Sequence, residues 1–120
     1  MRSLVVDDSS TMRAVLRMIL RKKGFDVHEA NNAAEAIRAL ETLGPIDLML
    51  LDWNMPEMNG FELLCSVRRD KAHANTKIIM VTTETALDEM TRALEAGANE
   101  YIMKPFTPEV VADKLRMLGW

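Results

Sequence analysis

Apolar residues follow two patterns along the chain. Two runs of four consecutive apolar residues, 48–51 and 78–81, have no polar face, which is typical of strands in the middle of a parallel sheet covered on both sides. Shorter apolar segments occur at residues 4–6, 25–30 and 98–103. The pattern predicts five strands, at residues 4–6, 25–30, 48–51, 77–81 and 98–103.

Between these strands, apolar residues recur every three or four positions, the spacing of an amphipathic helix. Asn32 and Thr107 are N-cap residue types that precede two of these stretches, and glycines follow three of them. Helices are predicted from Ser9 or Ser10 to about residue 23 and over residues 33–43, 61–69, 86–96 and 108–118. Strands and helices that alternate at these lengths indicate an α/β fold with a doubly wound parallel sheet and right-handed crossovers.

Length and composition exclude several classes of protein. At 120 residues, the chain is expected to form one domain over residues 1–120 without an output domain. A net charge of −3 argues against a nucleic-acid binder, and no apolar run approaches the ~20 residues that span a bilayer. The N-terminus does not resemble a signal peptide. Because Cys65 is the one cysteine, no internal disulfide can form, which is consistent with a cytoplasmic protein.

The residues that end the predicted strands carry the candidate chemistry. Asp7 and Asp8 follow the first strand, Asp52 the third, Thr82 the fourth and Lys104 the fifth. The carboxyl ends of parallel strands meet at one edge of the sheet, where ligands collect in open α/β folds. Taken alone, Asp52 fits a residue that caps a turn. Taken with the other four residues, Asp52 fits a ligand-binding or reactive site at this edge of the sheet.

Three carboxylates at one edge repel one another, so such a cluster normally needs a cation. Oxygen ligands without His or Cys select Mg²⁺ or Mn²⁺ rather than zinc. Lys104 would add an ammonium and Thr82 a hydroxyl donor, which together with a metal would surround three phosphoryl oxygens. The predicted reaction is attack of Asp52 on phosphorus to form an acyl phosphate.

These residues lie in longer segments that resemble the response-regulator receiver family, in particular its stand-alone chemotaxis members. The matching segments read VVDDSSTMR, DWNMP, MVT and YIMKPFT, at residues 5–13, 52–56, 80–82 and 101–107. They are spread over essentially the whole chain. The resemblance implies a flavodoxin-like (βα)5 fold with strand order 2-1-3-4-5.

The resemblance also implies a role for each site residue. Asp52 would be the phosphoacceptor. Mg²⁺ would be bound by Asp8, Asp52 and the backbone carbonyl of Asn54, and Asp7 would act through a bound water. As a receiver, the chain would phosphorylate and dephosphorylate itself rather than turn over a metabolic substrate.

The remaining implied roles concern the switch. Thr82 and Lys104 would each contact a phosphoryl oxygen, and the Lys104–Pro105 peptide bond would be cis. Tyr101 would be the switch aromatic that turns inward when Thr82 moves toward the phosphoryl group. The implied partners are a histidine kinase as phosphodonor, an output partner such as a flagellar motor switch protein, and a phosphatase. The surface that changes would be the fourth helix, fifth strand and fifth helix, roughly residues 86–118.

Three alternatives remain open from the sequence. A flavodoxin-like cofactor binder shares the architecture, but the two acids after the first strand would repel a bound phosphate. A phosphate-independent interaction module predicts a broken acidic site. An excised receiver of a larger, for example DNA-binding, response regulator would look the same as a stand-alone protein.

Other residues carry weaker signals. Arg13, Arg17 and Arg21 form a basic ridge that is either a solvated helix face or a docking surface. His28 is expected to face outward, His73 to lie in a solvated loop and Cys65 to be an inert core thiol. The outer face of the fourth helix is expected to be acidic (Glu84, Asp88, Glu89, Glu95), and Glu84 is expected to flank the site.

Overall fold

The computed structural model describes residues 1–83 and 87–120, in which five strands alternate with five α-helices. The strands are β1 (Arg2–Val6), β2 (Asp26–Ala30), β3 (Leu48–Asp52), β4 (Lys77–Thr82) and β5 (Glu100–Met103). The helices are α1 (Ser10–Lys22), α2 (Ala33–Leu43), α3 (Gly60–Arg69), α4 (Leu87–Glu95) and α5 (Pro108–Met117). Ser9, Asn32 and Thr107 are N-caps whose side chains accept backbone N–H groups.

The sheet is parallel throughout, with strand order β2-β1-β3-β4-β5. The doubly wound sheet and the order predicted from the resemblance are therefore confirmed. All five residues of β3 are buried, as expected for the central strand of a sheet covered on both faces. Asp52 is the last of these residues and pairs with Val81 of β4, so its side chain emerges at the carboxyl edge of the sheet.

One hydrophobic core lies on each face of the sheet. Leu16, Leu20, Val111 and Leu115 of α1 and α5 pack on one face. The other face is covered by apolar residues of α2, α3 and α4 (Ala36, Leu40, Leu63, Leu64, Val67, Ala93). Consecutive residues of β3 point to opposite faces, so Met49 and Leu51 enter one core and Leu48 and Leu50 the other.

The structure corrects two expectations about single residues near the end of α3. A one-turn 3₁₀ helix (Lys71–His73) joins α3 to β4. His73 is not a solvated loop residue, because its side chain is buried beneath this turn with 6% of its surface exposed. Cys65 is half-buried rather than a core residue. The two errors have different origins. Helical periodicity does not show how closely the irregular connection around His73 packs against its neighbours. Cys65 lies within α3, where it stands at the border of the buried face formed by Leu63, Leu64 and Val67.

Most predicted element boundaries agree with the structure to within two residues. The predicted first residue of the fourth helix, Ala86, lies outside the described residues, as does Glu84. Asp88 and Glu95 of α4 are exposed as expected, whereas Glu89 is half-buried. None of the helices within residues 1–83 and 87–120 is long and apolar enough to cross a membrane.

Candidate functional site at the strand ends

The fold brings three carboxylates together at the carboxyl edge of the sheet. Asp7 and Asp8 follow β1, and Asp52 ends the neighbouring strand β3. One carboxylate oxygen from each lies within 4.8 Å of the other two. Asp7 and Asp52 are buried, and Asp8 is exposed. The site is therefore open to solvent on one side and enclosed by protein on the other.

Asp7 is held at every polar atom that it offers. Its Oδ1 accepts the backbone N–H of Ser9 at 2.8 Å, and its Oδ2 accepts the ammonium of Lys104 at 3.1 Å. Its backbone N–H donates to the carbonyl of Ala30, and its backbone carbonyl accepts Nη1 of Arg13 at 2.6 Å. These contacts fix the turn between β1 and α1.

Lys104 lies between two of the carboxylates. Its Nζ is 3.1 Å from Oδ2 of Asp7 and 3.1 Å from Oδ1 of Asp52. Its backbone N–H donates to the carbonyl of Thr82, which sets the position of the residue beyond the end of β5, and the Lys104–Pro105 peptide bond is cis. Burial alone would lower the pKa of Lys104, but hydrogen bonds and charge interactions with Asp52 and Asp7 raise it.

The environment of Asp52 raises the pKa of its carboxyl group. The largest cause is burial, and the charge of Asp7 adds to it, with a smaller contribution from Asp8. Lys104 acts in the opposite direction through its hydrogen bond and its charge. One ammonium therefore faces three carboxylates, and the edge keeps an excess of negative charge.

The donor set fits a hard divalent cation. Mg²⁺ takes oxygen ligands at about 2.0–2.1 Å in an octahedron, which places neighbouring ligand oxygens about 3 Å apart and opposite ones about 4 Å apart. The three carboxylate oxygens lie within 4.8 Å of one another, so small side-chain movements would bring them to such distances. Excess negative charge and the exposure of Asp8 supply the attraction and the access.

Three further residues named from the sequence lie around this cluster. Thr82, the last residue of β4, is buried next to the strand end of Asp52. Asn54 is exposed, and its side chain donates to the hydroxyl of Thr83 at 3.4 Å. Tyr101 lies in the middle of β5, half-buried, with the ammonium of Lys114 located 4.8 Å from its ring centroid. Its register partner on β4 is Met80, two residues before Thr82, so Tyr101 lies on the strand adjacent to Thr82 and outside the carboxylate cluster.

Two contacts of the site were missed by reasoning from sequence. Arg13 was assigned to a basic ridge, yet its guanidinium reaches back to the carbonyl of Asp7. Trp53, next to Asp52, is buried and stacked on Phe61 with 5.6 Å between ring centroids. A long side chain one turn after an acidic pair was the available signal for the first contact, but its direction could not be read from the sequence.

Comparisons with known proteins agree with this geometry. The family model described as the response regulator receiver domain matches residues 3–116. The chain is 46% identical over 119 residues to the chemotaxis protein CheY1 of Helicobacter pylori, a match that covers 98% of this chain and 96% of the relative. It is 49% identical over 116 residues to a chemotaxis protein CheY homolog of Campylobacter jejuni, covering 96% and 89%.

Solved structures show the same fold. Chemotaxis protein CheY4 of Vibrio cholerae superposes with a TM-score of 0.89 at 33% identity, covering 97% of this chain and 96% of that chain. A putative two-component system response regulator/GGDEF domain protein superposes with a TM-score of 0.87 at 35% identity, covering all of this chain but 51% of the other. The fold thus occurs both alone and as part of a larger chain.

Proposed function

Because the chain belongs to the response regulator receiver family, we propose that it is a phosphorylation-dependent switch in which Asp52 accepts a phosphoryl group from a histidine kinase. The relatives that it matches over nearly their full length are CheY-type regulators, which is consistent with two-component signalling and chemotaxis. The observation that supports the proposal most is the ammonium of Lys104 lying between Asp7 and Asp52 at the edge of three carboxylates.

In this proposal Asp52 is the nucleophile. A carboxylate oxygen of Asp52 would form the new bond to phosphorus as the bond from phosphorus to the donor nitrogen of the phosphohistidine breaks, and the leaving imidazole nitrogen would take up a proton from solvent. Burial orients the Asp52 carboxylate, while the exposed side of the site admits the donor. Asp52 is thereby converted from an ion-pair partner of Lys104 into an acyl phosphate.

Lys104 and Thr82 are the protein groups that would stabilise the transferred phosphoryl group. The ammonium of Lys104 would exchange its contact with Asp52 for one with a phosphoryl oxygen, because phosphorylation adds oxygens at the carboxylate that Lys104 contacts at 3.1 Å. The hydroxyl of Thr82 would donate to another oxygen. A Mg²⁺ ion held by Asp8, Asp52 and the backbone carbonyl of Asn54, with Asp7 acting through water, would supply further positive charge when bound.

The switch would spread from Thr82 to the face formed by α4, β5 and α5. A phosphoryl group adds charge and acceptor oxygens, which favour the arrangement that brings Thr82 toward them. Tyr101 lies on β5, the strand adjacent to Thr82, and would turn inward into the space that Thr82 leaves. The ratio of the inactive and active arrangements would shift by an amount set by the difference in free energy of these contacts between the two.

The output face carries apolar side chains that a partner could cover. Leu87, Leu94, Met103 and Val110 are exposed on α4, β5 and α5, and Tyr101 and Lys114 line a cavity of about 300 Å³ between β5 and α5. A flagellar motor switch protein is the proposed output partner. We also propose a phosphatase that accelerates loss of the phosphoryl group, and a cytoplasmic location.

The phosphoacceptor is tested with a small phosphodonor and Mg²⁺. Intact-mass spectrometry should show one added phosphoryl group that hydroxylamine removes, absent in Asp52→Asn and retained in the control Asp88→Asn, which changes an exposed aspartate on α4. Phosphorylation of Asp52→Asn to the wild-type extent would overturn the assignment. The output is tested separately by measuring binding to a motor switch protein with and without beryllofluoride. Beryllofluoride should increase the affinity of the wild type but not that of Tyr101→Ala.

A further inference from the structure

We propose that Arg13, held by Glu29, which Arg17 also binds, is a positioning residue that fixes the Asp7–Asp8 turn in the geometry that binds a cation. Arg13 Nη1 donates to the backbone carbonyl of Asp7 at 2.6 Å, and Nε donates to Oε1 of Glu29 at 3.2 Å. The guanidinium therefore connects the acidic turn to the outer strand β2. This inference rests on the cation site of the proposed function.

The network is constrained at each of its three members. Glu29 is anchored in β2 and pairs in register with Val5 of β1, two residues before the acidic turn. Both of its carboxylate oxygens are occupied, Oε1 by Arg13 and Oε2 by Nη1 of Arg17 at 2.6 Å. The Arg13 side chain is 18% exposed, so it is largely removed from competing water. A planar guanidinium that donates in two directions suits this connection better than an ammonium.

Arg13 acts on Asp7 through the backbone rather than through the carboxylate. The carboxylate of Asp7 already has Ser9 and Lys104 as partners, and its N–H is bound to Ala30. The Asp7 carbonyl belongs to the peptide unit that leads into Asp8, the exposed acid of the cluster. A donor at this carbonyl therefore restrains the orientation of both acids without neutralising either.

This arrangement makes a prediction opposite in sign to that of simple electrostatics. Arg13 carries a positive charge near three carboxylates, so Coulomb's law predicts that removing this charge strengthens cation binding. If Arg13 instead orients the turn, removing it weakens binding. Loss of residues that orient metal ligands typically reduces metal affinity about 10–100-fold.

The test measures Mg²⁺ affinity from the fluorescence of Trp53 in a Trp120→Phe background, so that one indole reports. Arg13→Gln should bind Mg²⁺ about 10–100-fold more weakly than the parent. The matched control is Arg21→Gln, which removes the same charge from the exposed continuation of the same helix and should leave the affinity within about twofold. Arg13→Lys keeps the positive charge but loses the planar guanidinium that donates in two directions. Its affinity for Mg²⁺ should therefore be as weak as that of Arg13→Gln.

A double-mutant cycle separates geometry from charge. Arg13→Gln combined with Glu29→Gln restores the net charge of the parent, so electrostatics predicts parental affinity, whereas positioning predicts the weak affinity of Arg13→Gln alone. Thermal unfolding without Mg²⁺ checks that each variant is folded. If Arg13→Gln does not fold, Arg17→Gln, which leaves Arg13 in place but frees Oε2 of Glu29, takes its place with a smaller loss expected.

The outcomes distinguish this inference from the proposed function. If the parent binds Mg²⁺ and Arg13→Gln binds it equally or more tightly, this inference is overturned and the proposed cation site is not. Return of the double variant to parental affinity would do the same. Parental protein that does not bind Mg²⁺ at all would overturn the proposed cation site and this inference with it.

Discussion

Asp52 combines burial with ion pairing, and its raised pKa has a consequence for stability. Because the folded state favours the protonated carboxyl, the contribution of Asp52 to stability is fully present below the ordinary pKa of 3.8 and is lost as the pH rises through the raised pKa. Asp52→Asn cannot ionise and keeps the Lys104–Asp7 contact. We therefore expect Asp52→Asn to be more stable than wild type near neutral pH, with a difference that vanishes as the solution is acidified.

Urea unfolding from about pH 3 to about pH 8 without Mg²⁺ measures this difference. Asp88→Asn, at an exposed position on α4, should follow the wild-type curve within about 0.5 kcal/mol. An Asp52→Asn variant that is less stable than wild type at neutral pH would show that the Lys104 pair outweighs the burial of the charge.

Glu57 lies in the loop after β3 with a φ of 68°, a left-handed conformation that is unfavourable for a residue of this type. Asn tolerates this conformation better, so Glu57→Asn should raise the free energy of unfolding by about 0.5–1 kcal/mol. Glu57→Gln removes the charge but keeps the unfavourable backbone, and serves as the control. An equal gain in both variants, measured by urea unfolding, would assign the effect to charge.

At the scale of residues, the sequence predicted which side chains meet at the strand ends better than it predicted the contacts that hold them. Asp7, Asp8, Asp52 and Lys104 follow strands, and strand ends of a parallel sheet meet whatever the details of packing. The contact of Arg13 with Asp7 depends on the direction of a long side chain. The burial of His73 depends on a short irregular turn. Neither the Arg13 contact nor the burial of His73 produces a periodic pattern in the sequence, so neither could be predicted from it.

Among the secondary-structure elements, α3 approaches β3 more closely than a side chain would permit. A Cβ atom on Gly60 would lie 2.1 Å from the backbone carbonyl oxygen of Asp52. Gly60→Ala must therefore displace the start of α3 from the strand end. We expect a loss of about 1–3 kcal/mol in stability together with weaker Mg²⁺ binding.

Gly24→Ala is the matched control for Gly60→Ala. Gly24 follows the C-cap residue of α1 and has a positive φ, but an added Cβ there meets no atom within 4 Å. The expected loss is about 1 kcal/mol from backbone conformation, with unchanged Mg²⁺ affinity. Urea unfolding and the Trp53 titration measure both quantities. A Gly60→Ala variant with wild-type Mg²⁺ affinity would contradict the proposed coupling between α3 and the site.

Arg68 joins three elements at the other edge of the sheet. Its guanidinium donates to the carbonyls of Gly97, His73 and Thr76 and to Oδ1 of Asn99. Burial lowers the pKa of Arg68 from its ordinary value. Arg68→Met removes the shared donor from all four acceptors, of which the His73 carbonyl and Asn99 Oδ1 keep a backbone N–H from Thr76 and Ile78. We expect it to reduce the free energy of unfolding by about 2–4 kcal/mol.

Arg69→Met, at the exposed neighbouring position, should change stability by less than about 0.5 kcal/mol in the same urea unfolding experiment. Equal losses at the two positions would mean that helix α3, rather than the hydrogen bonds of Arg68, is responsible. The sequence predicted α3 from its apolar spacing, but it gave no sign that one arginine connects it to the start of β4 and to the turn before β5.

For the molecule as a whole, the alternation of elements makes three features of residues 1–83 and 87–120 predictable. These are the five parallel strands, the two covering layers and the one sheet edge at which the candidate site lies. That edge joins residues far apart in the chain, since Lys104 contacts Asp7 and Asp52 from the end of β5. A ligand that binds there therefore contacts β1 and β3 at once. Binding to the folded state alone stabilises it by mass action.

Mg²⁺ should accordingly raise the unfolding free energy of the whole domain. At a concentration of about 100 times Kd, the expected gain is about 2.7 kcal/mol, visible as a higher midpoint in urea or heat. Asp8→Ala removes the exposed carboxylate of the proposed cation site without opening the core, and should abolish the gain. Asp26→Ala, which changes an exposed acid at the start of β2, should retain it. A gain of equal size in Asp8→Ala would place the cation elsewhere, because stabilisation through the strand-end edge requires the carboxylate that reaches solvent there.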